Sequence, residues 1–206
     1  MEKEKCVVLS DKREILLNDN DSISLSMISN GKTIHIFPVP YPLAGYGGGS
    51  LLLSLSEQYL LFSYYSGQSE EAYRLFKISN CGLECVYESG YLCGECASYI
   101  FSGNEEFLIQ VLPRSMGPWY MDDTETDKDG VAFFEFGEIN ILNMENIILS
   151  KHLIYVYPSN DWNGDMTEEP FYISEIVDDH ILHIIMPWGE EELVFPLNDI
   201  IAFKPV

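Results

Sequence analysis

Residues 51–65, Leu-Leu-Leu-Ser-Leu-Ser-Glu-Gln-Tyr-Leu-Leu-Phe-Ser-Tyr-Tyr, decide the fold. Leu51–Leu55 and Tyr59–Tyr65 are apolar at nearly every position rather than at alternate ones. That pattern belongs to strands buried on both faces. Ser56-Glu57-Gln58 between them is a polar turn. Outward from this hairpin, strand signals continue. Ser22–Phe37 reads as a second hairpin: Ile23, Leu25 and Met27 alternate with serines, and Asn30-Gly31 turns the chain, because both positions accept positive φ. Tyr73–Ile78 and Leu83–Tyr87 flank Ser79-Asn80-Cys81-Gly82, and Phe171–Val177 and Ile181–Met186 flank Asp178-Asp179-His180. No amphipathic helix longer than two turns is visible, and Ser66–Ala72 reads as a loop. Pro38–Gly49 and Pro113–Gly130 are irregular, being rich in proline and glycine.

A phrase recurs. Leu53-Ser54 is followed after four residues by Tyr59-Leu60. Phe101-Ser102 is followed in the same way by Phe107-Leu108, and Leu149-Ser150 by Tyr155-Val156. The serines lie 48 residues apart each time. A multi-strand period of this size marks propeller blades. The phrase, over Ser50–Tyr65, Tyr99–Leu112 and Ile147–Tyr157, resembles the inner-strand hairpin of WD40-like and TolB-like β-propellers, at superfamily level. The chain has no Gly-His pair and no Trp-Asp dipeptide closing a blade. The expected fold is therefore all-β, a small or irregular β-propeller-like stack of antiparallel sheets, with a β-sandwich as the alternative. A single domain over residues 1–206 is expected, since undivided all-β domains reach this length.

Eleven Lys and Arg face 33 Asp and Glu, for a net charge of −22. Such a chain lacks the basic footprint that nucleic-acid backbones require, and it is repelled by anionic membranes. A basic protein or peptide is attracted. The plainer use of the acid is to keep a β-rich protein soluble and its edges unpaired. Hydrophobic residues make up 47% of the chain, enough for a packed core. The charged start, Met1–Leu9, does not resemble a secretory leader, no window approaches a membrane span, and five cysteines do not close a disulfide framework. A cytoplasmic protein is expected.

Three constellations are candidates for chemistry. Cys81, Cys85, Cys93 and Cys96 form C-x3-C-x7-C-x2-C, a set that can enclose zinc; against it, Cys85 sits in a strand-like run where cysteine packs as an apolar residue. Glu125, Asp127 and Asp129 alternate before Gly130, like the first half of a calcium loop, but Phe136 stands where a closing Glu is needed. The expected cofactor is none, with zinc or calcium as the metal-stabilised alternative. The tryptophans are the third. Trp119 with Tyr120, Asp122 and Asp123, Trp162 with Asp161, and Trp188 with Glu190 each place an indole in a turn-rich stretch beside acid. Indole faces and carboxylates together suit the Lys and Arg of a basic peptide, or a sugar. Alternatively, each indole caps the core while its acids face water.

Catalytic signals are sparse. His180 and His183 are three apart, which on a strand puts them on opposite faces. There is no G-x-S-x-G elbow, and Gly47-Gly48-Gly49-Ser50 lacks the lysine of a phosphate loop. The expectation is a non-catalytic binding module for a basic protein or peptide, such as an immunity or inhibitor protein. A hydrolase built on a carboxylate pair is a further alternative.

Overall fold

The computed structural model describes residues 5–18, 24–38, 49–67, 70–89, 92–93, 97–113, 125–126, 132–156, 172–177, 181–185 and 192–196. The chain divides into two compact units, Met1–Cys93 and Gly94–Val206. Every regular element among the described residues is a strand, and every pairing is between antiparallel neighbours.

The first unit holds two four-stranded meanders. The first runs β1 (Cys6–Val8), β2 (Glu14–Asn18), β3 (Ser24–Ser29) and β4 (Lys32–Pro38). The second runs β5 (Gly49–Leu53), β6 (Tyr59–Gly67), β7 (Glu70–Ser79) and β8 (Gly82–Glu88), and β9 (Leu92–Cys93) also pairs with β7. The alternation read in Ser22–Phe37 has its physical counterpart in β3. Leu25 and Met27 are fully buried, and the intervening serines are half-buried. Asn30 and Gly31 both take positive φ, 51° and 72°, as the hairpin demands. The two meanders pack face to face. Val7, Ile15, Leu17, Leu25 and Met27 of the first meet Leu51, Leu60, Phe62, Tyr64 and Phe76 of the second in one core. Phe37 and Phe76 close it with an edge-on ring contact at 4.8 Å.

The uniformly apolar reading of Tyr59–Tyr65 is explained by burial on both faces. Leu60 and Phe62 point into the core just described, and Leu61 and Ser63 on the other face are buried as well. Most of the loop expected over Ser66–Ala72 is instead paired strand, and Gln68 and Ser69 lie outside the described residues. β6 continues to Gly67 and β7 begins at Glu70, with a register shift between Tyr65 and Gly67. Backbone pairing overrides the polar composition there.

The second unit contains a sheet of β10 (Ser98–Phe101), β11 (Phe107–Pro113), β13 (Ala132–Asn143) and β14 (Ile148–Val156), with the short β12 (Glu125–Thr126) on β13. It also contains β15 (Tyr172–Val177), β16 (Ile181–Ile185) and β17 (Glu192–Pro196), paired in that order. β11 and β13 again bury both faces: Ile109, Val111, Ile139 and Ile141 on one, Leu108 and Leu142 on the other.

The recurring phrase is a recurring turn in two of its three copies. Ser54 N donates to Tyr59 O at 3.0 Å, Glu57 N donates to Ser54 O at 3.0 Å, and the Ser54 hydroxyl accepts from Tyr59 N at 3.1 Å. Ser102, Glu105 and Phe107 repeat this at 2.9, 2.8 and 3.0 Å. Glu57 and Glu105 both sit at positive φ, 59° and 56°. A serine hydroxyl serves because it satisfies an N–H that the turn withdraws from the ladder. The third copy fails. Ser150 lies inside β14, opposite Ile141, and the turn there is made by Asn143, whose side chain accepts from Glu145 N and Asn146 N.

Candidate functional site

The eight residues expected to contact a partner, Trp119, Tyr120, Asp122, Asp123, Asp161, Trp162, Trp188 and Glu190, lie outside the described residues. So do Asp127, Asp129 and Cys96, while Glu125 is placed on β12 opposite Phe133. Cys81 is exposed in the β7–β8 turn, and Cys85 is half-buried on β8 with its thiol donating to Tyr87 O at 3.5 Å. Burial, before the Glu88 charge, holds that thiol above its ordinary pKa. The backbone does not bring Cys85 and Cys93 together. Cys85 lies opposite Phe76 and Cys93 opposite Glu70, six residues apart on β7 and so about 20 Å apart along the strand. One tetrahedral zinc, with sulfurs at about 2.3 Å, does not span that distance. Among the described residues no group of three or more His, Cys, Asp or Glu side chains is placed to hold a metal ion.

Three other places carry chemistry. In the first unit, Arg74 is set into the face of β7 that meets the core, between Phe62 on β6 and Glu88 on β8. Its side chain is 3% exposed. Nη2 donates to Glu88 Oε1 at 2.6 Å, and the guanidinium carbon stands 5.8 Å from the centre of the Tyr64 ring. Nε and Nη1 are buried and have no acceptor. Each idle donor costs about 1–3 kcal/mol at such depth. Burial works against the charge, but the Glu88 hydrogen bond and the nearby Tyr64 and Glu88 outweigh it, so Arg74 stays a permanent cation.

In the second unit, a polar row crosses the interior of the sheet. Tyr99, Gln110, Asn140 and Lys151 are register partners on β10, β11, β13 and β14. Gln110 Nε2 donates to Tyr99 Oη at 3.0 Å. Asn140 Nδ2 donates to Gln110 Oε1 at 2.9 Å and to Glu138 Oε1 at 2.8 Å. Lys151 Nζ approaches Glu138 at 3.5 Å. Gln110 and Asn140 are almost fully buried, and Asn140 Oδ1 is left without a donor. The bonds made along this row favour one register, and the idle Asn140 acceptor is its weak point.

The third place is the end of the same sheet. The β10–β11 and β13–β14 turns sit side by side, with Met144 N donating to Glu106 O at 2.8 Å. They carry Glu105, Glu106 and Glu145. Beside them a half-open cavity of about 150 Å³ is lined by Phe107, Ile141, Asn143, Asn146, Ile148 and Ser150. Ile148 is exposed at its rim.

Sequence reasoning passed over Arg74, Gln110 and Asn140. The available signal was a lone polar side chain interrupting an apolar strand, in Tyr-Arg-Leu, Ile-Gln-Val and Ile-Asn-Ile.

No protein-family model matches the chain. No curated protein matches it either. Among solved structures, a presumed 6-phosphogluconolactonase from Bacteroides uniformis is similar at 13% identity and a TM-score of 0.40, over 87% of this chain and 48% of that one. The WD40 domain of SCAP from fission yeast is similar at 12% identity and a TM-score of 0.43, over 87% of this chain and 44% of that one. The chain thus spans less than half the length of either structure it resembles.

Proposed function

We propose that the chain is a non-catalytic binding module that offers acidic, tryptophan-bearing loops to a basic protein or peptide. The observation that carries this reading is the charge, 33 acids against 11 bases. A surface field of that sign accelerates encounter with cations and repels nucleic acid. The adjacent turns bearing Glu105, Glu106 and Glu145, next to a cavity floored by Phe107 and Ile141, support it. Acid beside an apolar recess suits a peptide that alternates Lys or Arg with an apolar side chain. The proposed anchors are Trp119, Trp162 and Trp188, with Tyr120, Asp122, Asp123, Asp161 and Glu190 around them.

The test is association of a synthetic Lys- and Arg-rich peptide carrying single leucines, followed by tryptophan fluorescence at several salt concentrations. The association rate should fall at least about tenfold as the Debye length shrinks from roughly 14 to 4 Å. A rate that ignores salt would overturn it.

A further inference from the structure

Arg74 has more donor capacity than its surroundings use, and the shape of a guanidinium shows that rearrangement of Glu88 does not cure this. The group presents two forked edges, Nη1 with Nη2 and Nε with Nη2. Glu88 now holds Nη2 alone, through Oε1. If its carboxylate turned to grip an edge with both oxygens, it would take Nε or Nη1, and the other nitrogen would stay idle. Glu88 is also 54% exposed, so much of its charge is spent on solvent. Idle donors on a buried cation define what is missing, an acceptor that carries negative charge.

We propose that Arg74 anchors a binding site for a small oxyanion, a carboxylate or a phosphate ester, held against the Tyr64 ring and beside Glu88. The Tyr64 ring, whose centre lies 5.8 Å from the guanidinium carbon, supplies an aromatic neighbour within cation–π range. Arg74 supplies the charge and the fork. Glu88 sets the selectivity: its carboxylate competes with the ligand for the same nitrogens, so the site favours an anion able to reach the edge that Glu88 leaves. This site is independent of the acidic loops and of any basic partner.

The experiment uses the whole chain labelled with ¹⁵N. The Arg74 Nε–H signal, slow to exchange because it is buried, is followed while inorganic phosphate or acetate is added, against sodium chloride at the same ionic strength. A saturable shift with phosphate alone assigns the site to phosphate esters, and one with acetate alone assigns it to carboxylates. Melting temperature provides the second readout, with a rise of about 3 °C at ten times the dissociation constant. Arg74→Met should abolish the rise, and Glu88→Gln should enlarge it by removing the competing charge. If Arg74→Met does not fold, the wild-type titration and Glu88→Gln still decide. No shift beyond the chloride control would mean that water alone meets the idle nitrogens, and would overturn the proposal. So would an equal melting response in Arg74→Met.

Discussion

The carboxylate of Glu57 accepts both the backbone N–H of Ser10, at 2.8 and 3.0 Å, and its hydroxyl, at 2.8 Å. Ser10 lies in the β1–β2 turn and Glu57 in the β5–β6 turn, so this contact latches the two meanders of the first unit at one end. Glu57 does so from a positive φ of 59°, a conformation that disfavours any residue carrying a Cβ. Glu57→Ala is expected to lower stability by about 1 kcal/mol in urea unfolding, the net value of a partly exposed charge-assisted contact. Glu57→Gly should lose less, because glycine relieves the backbone. Equal midpoints for wild type and Glu57→Ala would show that the latch contributes nothing.

Arg74 and Glu88 should respond unequally to removal. Glu88→Ala strips a buried guanidinium of its one carboxylate and is expected to cost about 1–2 kcal/mol, the lower part of the range for charged pairs because Glu88 is half in solvent. Arg74→Met removes the buried charge itself and leaves a carboxylate that water can solvate, so stability should hold or rise. Denaturant midpoints of the two variants, measured without added phosphate or carboxylate, check the asymmetry.

The polar row across the second unit should be energetically coupled. Gln110→Leu alone leaves the buried Asn140 amide without one acceptor, and Asn140→Leu alone leaves Gln110 Oε1 without its donor. Each is expected to cost about 2 kcal/mol, and the double variant less than their sum by about 1 kcal/mol. Additive losses would mean that the row has no cooperative character.

Burial depresses the pKa of His152, whose Nε2 has no partner. The sign follows from linkage. Between the folded and unfolded pKa values the unfolded chain binds the proton more readily, so this contribution is complete above about pH 6.5 and is lost as pH falls below it. Acidification also relieves the repulsion of 33 carboxylates, so the comparison must be differential. The stability of wild type minus that of His152→Gln, measured by urea unfolding from pH 8 to pH 5, should decline toward acid. A flat difference would contradict it.

What the residues revealed, and what they withheld, follows physical lines. Asn30-Gly31 and the apolar run of Tyr59–Tyr65 were legible because turn chemistry and two-sided burial act on neighbouring residues. Ser54 and Ser102 were legible for the same reason. Ser150 misled because a serine inside a strand looks the same in sequence as one that closes a turn, and Asn143 performs that task instead. The polar Ser66–Ala72 run concealed strand, because β6 continues to Gly67 and β7 begins at Glu70. Arg74 and Asn140 were visible as polar residues, but their importance depends on partners 14 and 30 positions away, Glu88 and Gln110, which only the sheet register supplies. The tryptophan loops stand as an expectation from composition.

In the proposed function the overall negative charge attracts the basic partner, and the acids beside the tryptophans receive it. The most direct measurement compares two double variants of equal charge in their association with the Lys- and Arg-rich peptide. Asp122→Asn with Asp123→Asn should slow association by about fivefold or more, while Glu14→Gln with Glu84→Gln, on strands β2 and β8, should slow it by less than about twofold. Equal slowing by both pairs would contradict the claim and leave only a diffuse negative field.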